Sequence, residues 1–259
     1  MLLKRSIDIQ VENYLKGESY KPLFIWGPRR SGKTTLLERL SKELDVPFFD
    51  FDLQTDRELF VPRIEALEHL VATHKVILID EVQNYPSATV VLKLLQGKFK
   101  VKVIATGSSE LRQKANEEFD TMAGRFHEEY CLPLSIQEIV QNSPVLPYEK
   151  ERFLKELQKK LQIYGAYPEI YARESLNEAE KVDLLEKITN TYVLKDVITI
   201  YDLKNEKLAR DILTKIALQL GSEVSIREIA VSLGANKDTV SNYIEIFIKN
   251  YILIPLHSF

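Results

Sequence analysis

Eight consecutive residues constrain this chain more than any other feature: Gly27-Pro28-Arg29-Arg30-Ser31-Gly32-Lys33-Thr34. They fit the pattern G-x-x-x-x-G-K-[ST] at every specified position. An apolar run, Pro22-Leu23-Phe24-Ile25-Trp26, precedes them and reads as a buried strand. The pattern from Lys33 to Leu44 follows as a helix, with Leu36, Leu37, Leu40 and Leu44 on one face. A strand that turns through glycines into a helix aims backbone N–H groups and the positive end of a helix dipole at one point, which suits phosphate. Gly27 and Gly32 let the backbone close around phosphate oxygens, and Pro28, Arg29, Arg30, Ser31 and Thr35 complete the candidate nucleotide-binding set. Lys33 is placed to reach the β- and γ-phosphates, and Thr34 to offer its hydroxyl to Mg2+. The plainer alternative is a glycine-bearing turn with a solvated lysine, and the strand-turn-helix context argues against it.

Further along, short β-rich runs alternate with longer helical patterns. Val46 to Phe51 is strand-like, and Asp56 to Thr73 reads as one long amphipathic helix. Val76 to Ile79 is a continuous apolar run, a helix is expected around Ser87 to Gly97, and Lys100 to Thr106 is the next strand. A short helix is expected after Ser109, and His127 to Leu132 reads as a last strand. Five mostly apolar strands separated by helices predict an α/β fold, a parallel sheet covered on both faces. After Pro133 the strands stop. The expected domains are an α/β unit over residues 1–142, a helical lid over 143–206 and a third unit over 207–259.

Composition removes several classes. The single cysteine, Cys131, cannot pair within the chain, which argues against a disulfide-stapled secreted domain. No apolar run approaches the roughly 20 residues of a membrane-spanning helix, and the amino end turns charged too soon for a signal peptide. A cytoplasmic protein with no membrane partner is the expectation. With 35 basic and 38 acidic residues, the net charge of −3 does not advertise a nucleic-acid coat.

Two more strand ends carry chemistry. Asp80-Glu81 closes the Val76–Ile79 run, where α/β folds place ligand-facing residues. Asp80 there can hold Mg2+, and Glu81 can polarise an attacking water. An acidic strand end that only faces solvent is the alternative. Thr106-Gly107-Ser108-Ser109 closes the next strand, with hydroxyls for a γ-phosphate or a water, or else for a plain turn and helix cap.

With these strand ends, the chain resembles the AAA+-type P-loop ATPases, in particular archaeal and bacterial members with a winged helix behind the ATPase module. The residues carrying the likeness are Gly27 through Leu37, Ile79-Asp80-Glu81-Val82-Gln83, and Thr106-Gly107-Ser108-Ser109. Further on come Ala123-Gly124-Arg125, Leu132-Pro133-Leu134-Ser135-Ile136-Gln137-Glu138 and Gly165-Ala166-Tyr167-Pro168-Glu169. The resemblance implies ATP and Mg2+ as ligands, Lys33 and Thr34 as Walker A residues, and Asp80 and Glu81 as Walker B residues. It implies Ser108 or Thr106 as the polar sensor and Arg125 as an arginine that stabilises charge on the transferred phosphoryl, in cis or from a neighbouring subunit. The alternative for Arg125 is a surface salt bridge. Pro168 resembles the Gly-x-Pro element of related signalling ATPases of the STAND type, whose lid packs on the adenine. Members usually continue past the winged helix, so a short variant or a fragment is expected here.

Ser225 to Asn236 resembles the first helix and turn of a helix-turn-helix, with Ser225 and Glu228 spaced as a capping box. Lys237 to Asn250 would be the second helix, with Val240, Tyr243, Ile244 and Phe247 inward and Lys237, Asp238, Thr239, Ser241 and Asn242 outward. From Lys207 onward, six Lys/Arg stand against five Asp/Glu, a net of +1 that equips the unit poorly for duplex DNA. Tyr192 to Asp202 reads as core packing. The expected activity is ATP hydrolysis that switches the lid and winged helix. A nucleotide-gated DNA-binding regulator and a small-molecule kinase stay open as alternatives, as does a homo-oligomer or another protein partner.

Overall fold

The structure, a computed structural model, describes residues 3–108, 124–173, 175–190, 203 and 205–256. The expected short helix after Ser109 and the Tyr192–Asp202 segment lie outside the described residues. The chain forms two compact units, Met1–Glu174 and Ser175–Phe259. The expected boundaries at 142 and 206 fall inside these units.

The first unit is built on five parallel strands: β1 (Leu23–Trp26), β2 (Phe48–Asp50), β3 (Val76–Asp80), β4 (Lys102–Gly107) and β5 (His127–Tyr130). Their order across the sheet is β2-β3-β4-β1-β5. Parallel pairing aligns Trp26 with Gly107 and Tyr130, and Asp50 with Asp80, so the strands' carboxyl ends share one rim. All four residues of β1 are buried, as a central strand covered on both faces requires. Leu23 and Ile25 point to one face, where they meet Ile7, Val11 and Tyr14 of helix α1 (Ser6–Lys16) and Leu36, Leu37 and Leu40 of α2 (Lys33–Leu44). Each such side chain contributes about 1.5–3 kcal/mol on burial. Phe24 and Trp26 fill the opposite face, their rings stacked 5.1 Å apart. Edge strand β5, His-Glu-Glu-Tyr, is half exposed.

Helix α1 precedes the first strand read from the sequence, although Ile7, Val11 and Tyr14 recur at helical spacing. Its Tyr14 hydroxyl donates to the Val103 carbonyl and accepts from the Val103 N–H, both at 3.0 Å, tying the helix to β4. Burial pushes that phenol up to about 12, against the opposing effect of its bond to Val103.

The single helix expected from Asp56 to Thr73 is two helices, α3 (Gln54–Leu59) and α4 (Ile64–Thr73). Pro62 causes the break: it lacks an N–H and pushes Val61 out of the helical region. Helix α5 (Ala88–Leu94) continues into a π-helical turn over Leu95–Phe99. Among the described residues of the first unit, helices α6 (Ile136–Gln141), α7 (Lys150–Tyr164) and α8 (Pro168–Ala172) follow the sheet, with Leu134, Ile139 and Leu157 as a small core.

The second unit holds α9 (Glu178–Lys187), α10 (Glu206–Leu218), α11 (Ile226–Leu233) and α12 (Lys237–Lys249). Ile212, Ile229, Val240, Tyr243 and Phe247 form its core, with Ile244 packed against it. Ser225 caps α11 by accepting from the Glu228 N–H at 3.3 Å, and Asn236 caps α12 by accepting from the Asp238 N–H at 2.7 Å. No strand occurs among the described residues of this unit. No helix among the described residues is long and apolar enough to cross a membrane.

Candidate nucleotide site at the strand ends

The loop after β1 is pressed against the end of β5. The Cys131 N–H donates to the Trp26 carbonyl at 2.7 Å, and a Cβ on Gly27 would run into the Cys131 carbonyl, so this position requires glycine. Arg30 and Gly32 both have positive φ, 62° and 102°, and the chain turns from there into α2. Lys33 is buried, and its Nζ donates to the carbonyls of Gly27 and Pro28 at 2.9 Å each. Burial lowers the pKa of its ammonium, a shift that the negative charges of Glu81 and Asp80 oppose. Thr34 and Thr35, in the first turn of α2, are exposed.

Parallel pairing brings the ends of β3 and β4 to this loop. Asp80 is buried and accepts from the Thr34 hydroxyl at 2.6 Å and from the Thr106 hydroxyl. Glu81 follows with left-handed backbone, φ 48° and ψ 44°. Burial raises the pKa of its carboxyl, while Lys33 counteracts that shift. Gln83 donates from Nε2 to Glu81 Oε2 and to Ser108 Oγ, the latter at 3.2 Å. Lys33, Thr34, Asp80, Glu81, Thr106 and Ser108, singled out from sequence, are therefore one connected cluster. Thr34 and Asp80 supply hard oxygen donors, which fit Mg2+ sharing its shell with phosphates and water. No group of three or more His, Cys, Asp or Glu side chains able to hold a metal occurs among the described residues.

Pro168 begins α8, and the next residue, Glu169, makes an ion pair with Arg30 of the loop and another, at 2.9 Å, with Arg173. The Gly165-Ala166-Tyr167-Pro168 segment is thereby tied, through Glu169, to the phosphate loop. Arg125 stands elsewhere. It is exposed at the amino end of β5, where Lys21 Nζ donates to the Gly124 carbonyl at 2.7 Å and the His127 N–H to the Pro22 carbonyl at 2.8 Å. Four strand residues, about 13 Å of β1, separate that end from the loop.

Arg5 and Asp50 are not singled out by the sequence, and Glu138 is marked there only as the end of the Leu132–Glu138 segment. Arg5 donates from Nη1 to the Ser31 carbonyl at 2.9 Å, from Nη2 to the Leu132 carbonyl at 2.6 Å and from Nε to Glu138 at 3.1 Å. Glu138 also accepts from Ser6 and caps α6 with Ser135. Asp50, at the end of β2, has its pKa raised by burial and by the nearby charges of Asp52, Asp80 and Asp56, against a backbone hydrogen bond from Asp52. Asp50 is a register partner of Asp80, a relation visible only once the strand order is known. Arg5 left one signal, its place just before an apolar helical pattern.

The sheet order and this rim define an α/β protein with a five-stranded parallel sheet and a phosphate-loop-like turn after its interior strand β1. Residues 19–140 match the model of a family described as an AAA domain, and residues 155–259 match a family described as a domain of unknown function. Among solved structures, the chain is similar to the RuvB Holliday junction branch migration motor of Thermotoga maritima, at 18% identity over 95% of this chain and 87% of that one, TM-score 0.36. It is similar to the Orc1 protein of Aeropyrum pernix in complex with DNA, at 16% identity over 97% and 85%, TM-score 0.38. Domain III of the replication initiation protein DnaA of Thermotoga maritima gives 18% identity over 70% and 89%, TM-score 0.38. No curated protein matches the sequence.

Proposed function

We propose that this protein is a Mg-dependent ATP hydrolase of the AAA+ type. The observation that carries the proposal is Asp80, buried between the Thr34 and Thr106 hydroxyls, with Glu81 and Lys33 close enough to shift each other's ionisation. Gly27 through Thr35 cradle the phosphates, Lys33 compensates charge on the β- and γ-phosphates, and Thr34 and Asp80 hold Mg2+, which neutralises phosphate charge. Glu81 orients a water and accepts its proton as the water oxygen bonds to the γ-phosphorus. The bond from that phosphorus to the β,γ-bridging oxygen breaks, leaving ADP and inorganic phosphate. Ser108 senses the γ-phosphate. Arg125, at the opposite end of β1, acts in trans on a neighbouring copy, which makes the working form a homo-oligomer.

Hydrolysis drives switching of a helical lid, residues 143–206, and of a helix-turn-helix unit of winged type, residues 207–259. The lid reading draws on Pro168, whose neighbour Glu169 pairs with Arg30, and this is where a STAND-like relation applies. A cytoplasmic setting accords with the lone, buried, free Cys131.

A second reading, a nucleotide-gated DNA-binding regulator with little turnover, is favoured by one observation: α11 and α12 pack as two helices joined by a short capped turn. Incubation with γ-labelled ATP separates the readings. Labelled inorganic phosphate is the expected product. A labelled acceptor would mean a kinase, and retention on duplex DNA at moderate salt without phosphate release would mean the regulator.

A further inference from the structure

Two residues with proposed chemical roles, Glu81 on β3's end and Ser108 on β4's end, are joined by one amide that the proposed reaction leaves unused. Gln83 lies in the 3₁₀ turn Val82–Asn84, and the left-handed backbone at Glu81 folds the chain so that Gln83 returns toward β4. Its Nε2 donates to both Glu81 Oε2 and Ser108 Oγ. Charge fixes the amide's orientation, since a flipped group would set its carbonyl oxygen against a carboxylate. The Gln83 Oε1 is buried and has no hydrogen-bond partner among the described residues. A buried, unpaired carbonyl disfavours the fold, so packing alone does not account for glutamine here. Gly107 makes room for it: a Cβ there would lie 2.6 Å from Oε1 and 3.0 Å from the Trp26 ring.

We propose that Gln83 is a positioning residue whose amide sets the Glu81 carboxylate and the Ser108 hydroxyl in one fixed relation, so that the γ-phosphate sensor and the proton acceptor work as a unit. The inference rests on reading the site as an ATP hydrolase. Gln83 acts through its two neighbours, which explains why a non-ionisable residue sits between them on a buried rim.

The test measures phosphate release by the full chain for wild type, Gln83→Met, Ser108→Ala and the double substitution, with affinity from a fluorescent ATP analogue. Gln83→Met should lower kcat about tenfold or more while KM and analogue affinity stay within about threefold. The double variant should fall within about threefold of the worse single one, because residues acting as a unit are not additive. Gly107→Ala, which crowds the amide without removing a polar group, should also lower kcat. A readout independent of turnover is the side-chain amide resonance pair of Gln83, identified by its loss in Gln83→Met. It should shift in both Ser108→Ala and Glu81→Gln without nucleotide. Unchanged kcat in Gln83→Met, fully multiplying effects, or an unmoved resonance pair would overturn the proposal. A pair that shifts in both variants of a protein whose wild type releases no phosphate would instead overturn the hydrolase reading, and the positioning role with it.

Discussion

The two units are held together in different ways. At the strand ends of the first, hydrogen bonds and ion pairs join residues remote in sequence: Thr34 to Asp80, Asp80 to Thr106, Arg5 to Glu138, Arg30 to Glu169. In the second, apolar side chains meet across helices while caps such as Ser225 and Asn236 act on their own first turn. A cluster of buried polar groups costs desolvation unless each finds a partner, so its geometry is tightly specified and suits chemistry. An apolar three-helix core with local caps specifies a shape and leaves its surface free to vary. The first unit therefore carries a polar cluster that suits chemistry, and the second an apolar helical core.

That contrast can be broken or sharpened by substitution. The largest expected effect lies outside the cluster: Arg125→Ala should cost about 10³-fold or more in phosphate release if it acts in trans. Mixing it with Lys33→Ala protein should restore activity, since each variant supplies what the other lacks. Loss without recovery on mixing would place the arginine in cis, and an unchanged rate in Arg125→Ala would place it outside the reaction.

Next, Arg5→Ala should destabilise the first unit by about 3–5 kcal/mol, the usual result of leaving a buried carboxylate without its partner. Thermal unfolding measures this, and a loss below about 1 kcal/mol would mean that the Arg5 network is dispensable.

The same network makes stability pH-dependent. Burial pushes the Glu138 carboxyl upward, but hydrogen bonds from Ser135 and Ser6 and the Arg5 charge more than offset this, leaving it below its ordinary value of 4.5. A lowered folded-state pKa contributes stability that is fully present above the unfolded value and is lost as pH falls through the folded one. Glu138→Gln should therefore lower Tm at neutral pH and flatten its decline below about pH 4.5. Parallel curves for variant and wild type would remove Glu138 from the account.

The smallest effect belongs to the second unit: Ser225→Ala should cost about 1 kcal/mol through its lost cap, without changing nucleotide affinity. A nucleotide-affinity change there would break the contrast, because it would show the helical unit contributing to the site.

Legibility in the sequence follows the same division. Gly27 to Thr34 carries its whole mechanism in eight residues, so the loop, the helix bounds Lys33–Leu44 and the strand before them could all be read locally. Asp80-Glu81 was legible because an apolar run ends there. Gln83 was not, since its role depends on the left-handed turn at Glu81 and on β4 lying beside β3. Arg5 and Glu169 gain meaning only when distant segments return to the loop. The break at Pro62 is written in the sequence, but the apolar period runs unbroken across Asp56–Thr73 and masks it. Arg125 shows the reverse case, in which a motif marks a residue and the fold sets it at the far end of β1.

The central claim is that the strand-end cluster hydrolyses ATP through Glu81. Phosphate release from Mg-ATP by wild type and Glu81→Gln, measured side by side with ATP binding, tests it most directly. The account predicts that Glu81→Gln still binds ATP while its release falls by about 10²-fold or more. Release by Glu81→Gln at the wild-type rate would contradict it.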